Sequence, residues 1–578
     1  MWPFGPSYRE AVEAKQAERT KALSAAPTEI AGTTEDPAIL AATATEIVLN
    51  IETGTWTAAQ VVEAFIMRAA FAQEATNCLT EVMFVQARER AKQLDADFAS
   101  TGRLRGPLHG VPVSFKDQFD IENFDSSIGF STWTNKPATK NADLVQQFID
   151  AGAVIITKTN VPQTMLAFEC SNPVFGRSTN PYNNKYTPGG SSGGEAALLA
   201  MDGAAVGIGS DVGGSLRIPA GYCGIYSLKP SHGRISSTGA RGPVPGFEGI
   251  RTVVGPMGRS VKDLELVCKT VFGSQSPINH DVAPLLFREI SLQAKLRFGY
   301  YTSDGYVKAS PACKRAVLET VAALRKQGHE CIEVEVPSIL DSFNVFVGMT
   351  AADGYKTLTS HLGPDPKEES LFLATLGPKL PGFLRLLAIW VIRTFIKDRT
   401  FAGTLAAAKV STMGEYMKLV AARNEYTRLF QVQVWQQHAI DGIIAPVQAL
   451  PQLPHGGCAN FSALAVSTVL YNVLDAAVGC VPVTRVDPSK DQLTNEWLIG
   501  PGLGSSIFES GIYRGKSPLY DPVATEGMPV CVQVAGRKWE DEKVLAMMKV
   551  VDDALGKERG FGPGSWDRRD IKSLTTNN

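Results

Sequence analysis

Two serines flanked by glycines are the residues of this chain best suited to covalent chemistry. Ser191 lies in the segment 188–195 (PGGSSGGE), and Ser215 lies in the segment 207–219 (GIGSDVGGSLRIP). Glycine permits positive φ angles and close backbone approach, so each serine can be displayed beside N–H groups that no side chain covers. Such amides are what an oxyanion hole requires, and the pattern is therefore compatible with nucleophilic catalysis.

The two Gly/Ser segments are also compatible with roles other than the catalysis described above. The serines can be structural residues of glycine-rich turns. A phosphate cradle is disfavoured, because the chain has no GxxxxGK[ST] motif and no Gly-x-Gly-x-x-Gly opens a helix here with a paired acidic residue. The residues 189–193 satisfy GxSxG, but a nucleophile elbow needs a preceding strand, whereas 180–188 has the composition of turns.

The residue that would activate a serine is not evidently a histidine. The chain contains seven histidines, and none stands out as the base of a triad. His455 lies in a loop rich in proline and glycine, and His109 precedes the strand that leads to Lys116. The base that activates the serine is therefore open to residues other than histidine.

The elements that must position these residues alternate between helix and strand. Thr57 is predicted to cap a helix, and a second helix is predicted over 85–98. Strands are predicted at 111–116, 153–158, 296–301, 331–336, 443–446, 481–486 and 529–535, and further helices at 144–151, 314–326, 412–438 and 540–554. This alternation predicts α/β layering in one large domain.

The composition favours a globular protein of a reducing compartment. The 578 residues include 44% hydrophobic and 20% charged residues, with a net charge of -2, which is typical of a globular protein and gives no steering toward nucleic acid. The nine cysteines form no CxxC pair, which argues against a disulfide framework and favours a reducing compartment. Without a signal peptide or a spanning apolar run, we expect an intracellular protein, either cytoplasmic or peripherally membrane-associated.

The segment 188–219, together with 106–117 (GPLHGVPVSFKD), resembles the amidase signature family. Similar stretches at 158–165, 171–176, 471–475 and 527–534 extend the resemblance over roughly residues 40–555. It implies an α/β fold with a central twisted mixed β-sheet covered by helices on both faces. The expected divisions are an N-terminal helical extension (1–40), the amidase domain (41–560) and a C-terminal tail (561–578), with no cofactor or metal.

The resemblance implies a Ser-Ser-Lys triad. Carried over by position, Ser215 is the nucleophile, Ser191 the bridging serine and Lys116 the base, and the Gly190–Ser191 peptide bond is cis. Burial disfavours the charged form of a lysine, so a buried Lys116 can accept a proton. The remaining expected site residues are the oxyanion-hole donors Val212, Gly213, Gly214 and Ser215, the supporting residues Ser192, Asp211 and Arg217, and the substrate contacts Met165, Gly189 and Gly190. Asp211 and Arg217 are interpreted as a buried ion pair.

The tract 371–399 bears on the choice of substrate. It is rich in leucine, isoleucine and aromatic residues and is edged by basic residues, which suits a helix lying on a membrane surface. A buried helix or a homodimer contact is the open alternative. The family members most similar in these features are fatty acid amide hydrolases and fungal acetamidases.

The expected activity is hydrolysis of a carboxamide to a carboxylic acid and an amine or ammonia through an acyl-serine. A small-molecule or lipid amide is the expected partner, with fatty acid amides or other hydrophobic amides favoured. The alternatives are a short-chain or aromatic amidase, an amidotransferase subunit and a non-catalytic relative that binds amides.

Overall fold

A mixed β-sheet runs through the molecule and carries Lys116 and Asp211 at the ends of two of its strands. The computed structural model describes residues 8–26, 37–274, 281–500 and 502–567. The strands within these residues are β1 Leu79–Val82, β2 Pro112–Lys116, β3 Val154–Thr159, β4 Ser171–Asn172, β5 Gly176–Arg177, β6 Val206–Asp211, β7 Tyr226–Lys229, β8 Val253–Gly258, β9 Arg297–Tyr300, β10 Glu330–Glu333, β11 Gly442–Pro446, β12 Val478–Arg485 and β13 Pro529–Ala535. Eleven of these described strands form one sheet in the order β1-β3-β2-β6-β8-β7-β12-β13-β11-β9-β10, and β4 pairs with β5.

Helices flank this sheet. Those in the described residues are α1 Tyr8–Leu23, α2 Pro37–Ala41, α3 Ala44–Glu52, α4 Ala58–Thr76, α5 Phe84–Thr101, α6 Asp143–Asp150, α7 Gly193–Ala200, α8 Arg217–Cys223, α9 Val261–Val271, α10 Pro311–Lys326, α11 Ile339–Thr350, α12 Lys356–Ser360, α13 Phe372–Leu376, α14 Gly382–Val391, α15 Arg399–Ala407, α16 Met413–Phe430, α17 Cys458–Phe461, α18 Val466–Val473, α19 Asn495–Leu498, α20 Ser506–Glu509 and α21 Asp541–Leu555. Single 3₁₀ or π turns extend several of them. The predicted α/β class with a mixed sheet flanked by helices is confirmed.

The central strands place the candidate site at one edge of the sheet. Strand β2 lies between β3 and β6, and both neighbours run parallel to it. Their carboxyl ends therefore meet at the same edge, which is where ligands bind in open α/β sheets. Lys116 is the last residue of β2 and Asp211 is the last residue of β6. The loop that follows β6 contains Ser215.

Several predicted elements are confirmed, and six of the described strands were missed. Thr57 caps α4 as expected, and Thr412, where a helix was predicted to begin, caps α16. The missed strands are β1, β4, β5, β6, β7 and β8. The divisions 1–40 and 561–578 stay predictions, and their parts at 1–7, 27–36 and 568–578 lie outside the described residues.

The tract 371–399 is an exposed set of short helices. Proline and glycine separate α13 from α14, and α14 has no buried residue. Phe383 is 71% exposed and Trp390 is 54% exposed. The buried-helix alternative is therefore wrong, while membrane and dimer contacts both stay open. Throughout the described ranges, no helix combines the length and apolar character needed to cross a membrane.

Candidate active site

Lys116 ends strand β2 as a fully buried amine. Its Nζ atom is hydrogen-bonded to Ser191 Oγ at 2.7 Å and to Ser210 Oγ at 2.9 Å. Ser210 donates in turn to Gln118 Oε1 at 2.5 Å. The structure thus brings Lys116 and Ser191, two of the three expected triad residues, into direct contact.

Burial changes the acid–base behaviour of Lys116. Exclusion of water disfavours the ammonium form and lowers the pKa of Lys116 from 10.5 to about 7, although the carboxylate of Asp211 acts in the opposite direction. With this pKa, roughly half of the molecules carry a neutral amine at neutral pH. A neutral amine has a lone pair that accepts a proton, so this lysine is chemically able to act as a base.

The segment that contains Ser191 packs closely against its surroundings. The Gly190–Ser191 peptide bond is cis, as the resemblance implied. A Cβ atom on Gly190 would lie 2.7 Å from the carbonyl oxygen of Ala167, so no larger residue fits at this position. The N–H of Ser192 donates to the carbonyl oxygen of Ser215 at 3.3 Å. This bond ties together the two segments that carry the candidate serines.

A buried ion pair holds the loop that follows β6. Arg217 donates from Nη2 and Nε to the carboxylate of Asp211 at 3.0 and 3.1 Å, and neither side chain is exposed. The ion pair expected from the sequence is therefore present. Burial alone would raise the pKa of Asp211, but the charge and hydrogen bonds of Arg217 outweigh it and hold this pKa at about 2. The ionised carboxylate accepts hydrogen bonds from the amides of Gly214, at 2.7 Å, and Leu216, at 3.1 Å.

Residues far away in the sequence complete this network around Arg217. Its guanidinium also donates to Thr468 O, Gln533 Oε1 and Asn472 Oδ1. Asn472 donates to Asp211 Oδ1 at 2.8 Å, so one amide side chain contacts both members of the ion pair. Every polar side-chain atom of Asp211 and Arg217 thus makes a hydrogen bond. This network holds the loop, and with it the backbone amides of the loop, in place.

The amides of this loop differ in their availability. Those of Val212, Gly213 and Ser215 have no hydrogen-bond partner within the described part of the chain. The amide of Gly214 donates to the carboxylate of Asp211, so three of the four amides expected as oxyanion-hole donors are free in this structure. Ser215 is half-buried, and its hydroxyl likewise has no partner among the residues described. In particular, it is not hydrogen-bonded to Ser191 in this structure.

Two cavities meet at Ser215. The first has a volume of about 290 Å³ and is lined almost entirely by apolar side chains, several of them from the exposed tract 371–399. The second has a volume of about 380 Å³ and includes the polar residues Ser191, Ser210 and Arg241. A substrate whose reacting carbon lies at Ser215 would therefore extend one part into an apolar space and the other into a more polar one.

The expected substrate contacts take different positions relative to these cavities. Met165 lines both of them, and Gly190 lines the first. Gly189 lines neither, because it is buried against Pro219, where a Cβ atom would lie 2.7 Å from the Cα atom of that proline.

The histidines considered from the sequence lie away from the candidate triad. His109 accepts a hydrogen bond from the amide of Arg105, and His455 Nε2 is hydrogen-bonded to the carbonyl oxygen of Asn184. Neither lines the two cavities. The described ranges also contain no cluster of three or more histidine, cysteine or acidic side chains that could hold a metal ion.

Sequence reasoning missed the residues that surround Lys116. Ser210 directly precedes Asp211 and Gln118 lies two residues after Lys116, so both are close neighbours of predicted site residues. No spacing rule links them, because their contact depends on the pairing of β2 with β6. Only their position beside predicted site residues could have drawn attention to them.

Comparison with known proteins places the chain in a family. The sequence profile of the family described as Amidase matches residues 60–545. An acetamidase of Emericella nidulans is 33% identical and fatty-acid amide hydrolase 1 of Sus scrofa is 30% identical, with 90% of this chain and 90% and 87% of those chains covered. A solved structure of fatty acid amide hydrolase superposes with a TM-score of 0.80 at 26% identity and covers 95% of both chains. The chain therefore belongs to the amidase signature family and is a hydrolase that acts on the C–N bonds of amides.

Proposed function

We propose that this protein hydrolyses carboxamides through an acyl-enzyme on Ser215, using Ser191 and Lys116 as a proton relay. The observation that carries the proposal is the hydrogen bond between a fully buried Lys116 and Ser191, which lines the same cavity as Ser215. A lysine with a pKa of about 7 is a competent base at neutral pH, whereas an exposed lysine is not.

The proposed reaction begins with proton transfer along the relay. Neutral Lys116 takes the proton of Ser191, which takes the proton of Ser215 as the oxygen of Ser215 attacks the carbonyl carbon. The C–O bond forms and the carbonyl oxygen becomes an oxyanion. The free amides of Val212, Gly213 and Ser215 are the proposed donors to this oxygen, and the bracing of their loop by Asp211 and Arg217 keeps them preorganised.

Collapse of the tetrahedral intermediate breaks the C–N bond. The proton held on Lys116 returns through Ser191 to the departing nitrogen, so the amine leaves in its neutral form. Water then attacks the carbonyl carbon of the Ser215 ester, and the same relay removes the proton of the water. The ester C–O bond breaks, and the relay returns that proton to the oxygen of Ser215. The products are a carboxylic acid and an amine or ammonia, and the enzyme returns to its starting protonation state.

We infer that the substrate is a fatty acid amide or another hydrophobic amide. The first cavity suits the acyl part, because it has a volume of about 290 Å³ and is lined almost entirely by apolar side chains. The second cavity, which also contains polar residues such as Ser191, Ser210 and Arg241, suits the amine part. The likeness to fatty acid amide hydrolases supports this choice, whereas the acetamidase relative supports a short-chain substrate as the second candidate.

The exposed tract 371–399 is proposed to rest on a membrane surface from which such a substrate enters. Leu380 and Ala388 of this tract line the apolar cavity, while Phe383, Leu386 and Trp390 are exposed to solvent. In the described structure, none of its basic side chains pairs with a carboxylate; they are Lys379, Arg385, Arg393, Lys397 and Arg399. Exposed apolar side chains beside unpaired cations fit an anionic lipid surface.

Variants of the relay test the proposed chemistry. Turnover of acetamide, an aromatic amide and oleamide is measured for the parent and for Lys116→Ala, Ser191→Ala and Ser215→Ala. We expect the parent to prefer oleamide and each variant to lose most of its activity. Parent-like turnover by Lys116→Ala and Ser215→Ala would refute the relay, and a preference for acetamide would refute the lipid substrate while leaving the chemistry intact.

A further inference from the structure

Glu195 is a buried carboxyl group beside the candidate site to which the mechanism above gives no role. It lies in the first turn of α7, four residues after Ser191, and has no solvent exposure. Its oxygens accept hydrogen bonds from Ser114 Oγ at 2.6 Å and Thr159 Oγ1 at 2.8 Å. No cation of the described chain lies within ion-pair distance of it. Burying a carboxyl group without a charged partner costs free energy, and the two hydroxyl contacts offset part of that cost.

The partners of Glu195 lie on the strand of Lys116 and on its neighbour. Ser114 precedes Lys116 by two residues in β2, so the two side chains leave the same face of the strand. Thr159 is the residue of β3 that pairs with Lys116. The carboxyl group of Glu195 therefore lies on the sheet beside the point where the side chain of Lys116 leaves the backbone.

The next strand, β6, is shaped to receive the same carboxyl group. Gly207 pairs with Ser114 in the register of β2 and β6. A Cβ atom on Gly207 would lie 2.2 Å from Glu195 Oε2, so the carboxyl group occupies the space that a side chain would take. Three adjacent strands thus form the site that holds the carboxyl group of Glu195. β2 and β3 each supply a hydroxyl group, and Gly207 of β6 leaves the space open.

Two contacts consequently join the segment 191–195 to β2. Ser191 is hydrogen-bonded to Lys116, and Glu195 accepts a hydrogen bond from Ser114. On the basis of the function proposed above, we propose that Glu195 is a positioning residue: its reach across β2 and β3 sets the distance between Ser191 Oγ and Lys116 Nζ. It touches neither substrate nor the transferred proton.

The electrostatic environment keeps Glu195 mostly neutral at the pH where Lys116 titrates. Burial raises the pKa of Glu195 to about 8, opposed by the hydroxyl groups of Ser114 and Thr159 and by Lys116. The lowering of the Lys116 pKa is opposed most strongly by Asp211, and then by Cys170 and Glu195 in their ionised forms. Removing the carboxyl group of Glu195 therefore changes the pKa of Lys116 little.

Variants that change either the reach of the side chain or its carboxyl group test this role. Glu195→Asp keeps the carboxyl group but is one methylene too short to reach both strands, so we expect kcat to fall by about 10- to 100-fold with KM within about twofold of the parent. Glu195→Gln keeps the reach, because an amide oxygen and NH₂ group can each bond a hydroxyl. We expect its kcat to stay within about threefold of the parent and the acid limb of its kcat/KM profile to keep the parent position, because Glu195 is mostly neutral at the pH where Lys116 titrates.

A milder variant and a matched control complete the experiment. Ser114→Ala removes one of the two hydrogen bonds without adding bulk, and is expected to lower kcat by about 3- to 10-fold at constant KM. Glu509→Asp is the control for Glu195→Asp, since Glu509 is also a buried glutamate that accepts two hydrogen bonds, from the amides of Lys308 and Leu503, but lines neither cavity. All values of kcat are expressed per active site labelled by a fluorophosphonate.

The outcomes distinguish this role from the proposed function itself. The role is overturned if Ser114→Ala and a folded Glu195→Asp both retain the kcat of the parent. If Glu195→Asp does not fold, Ser114→Ala alone decides. The role is also overturned if Glu195→Gln loses as much activity as Glu195→Asp. It is also overturned if Glu509→Asp loses as much kcat as Glu195→Asp, because the loss would then reflect general stability. A parent enzyme that hydrolyses no amide, or that is unaffected by Lys116→Ala, would instead refute the proposed function.

Discussion

Replacement of Lys116 by methionine should inactivate the enzyme and at the same time stabilise its fold at neutral pH. The pKa of Lys116 falls from 10.5 to about 7 because burial disfavours its ammonium form. One pKa unit corresponds to about 1.4 kcal/mol, so keeping this lysine buried costs the folded state up to ~5 kcal/mol at low and neutral pH. Methionine would remove that cost but also the hydrogen bonds to Ser191 and Ser210, worth about 1 kcal/mol each. We expect Lys116→Met to be more stable than the parent by about 2–3 kcal/mol at pH 7.

The pH dependence gives this prediction its sign. Between pH 7 and 10.5 the unfolded chain binds a proton on Lys116 that the folded chain does not, so this residue makes the parent more stable as the pH rises. The advantage of the variant is therefore full below pH 7 and shrinks through pH 8 and 9. Urea unfolding of both proteins at pH 6, 7, 8 and 9 measures it, with Lys92→Met, at an exposed lysine, as the control. A variant that is less stable than the parent at pH 6, or a difference that does not change with pH, would refute the reasoning.

Three further predictions follow from the same structure. The kcat/KM of amide hydrolysis should rise with pH through one ionisation near pH 7, as Lys116 loses its proton, and a profile that is flat between pH 6 and 8 would contradict this. Arg217→Met leaves the carboxylate of Asp211 buried without its partner, so the free energy of unfolding should fall by about 3–5 kcal/mol; an unchanged urea midpoint would argue against it. Replacing Phe383 and Trp390 by serine should weaken sedimentation with anionic vesicles, whereas Val523→Ser, at another exposed apolar residue, should not; equal binding by all three proteins would exclude the membrane contact.

The fold was predictable where local patterns are strong. The apolar strands β2 and β3 and the capped helices α4 and α16 follow from residue type alone. Strand β6 escaped prediction because it contains Gly207 and Gly209, and glycine is depleted in strands. The structure gives the physical reason: side chains at these positions would collide with Glu195 Oε2 and Ser192 Oγ. Packing around the candidate site therefore requires glycines in β6, and these glycines hide the residue pattern that is typical of a strand.

The sequence predicts which residues form the candidate site, but it does not predict their contacts. The Gly/Ser segments and the family resemblance are enough to single out Ser191, Ser215 and Lys116 from the sequence. The low pKa of Lys116 depends on burial by the whole fold, and its partner Ser210 arrives through the pairing of β2 with β6. The occupied amide of Gly214 depends on the conformation of one loop, which no residue pattern reveals.

The identity of the acylated residue tests the central claim most directly. The parent enzyme is mixed with an amide substrate, quenched in acid within the first turnovers, digested and analysed by mass spectrometry. We expect the mass of the acyl group on the peptide that contains Ser215, and no such adduct in Ser215→Ala. An acyl group on another residue, or amide hydrolysis that proceeds unchanged in Ser215→Ala, would contradict the proposed mechanism.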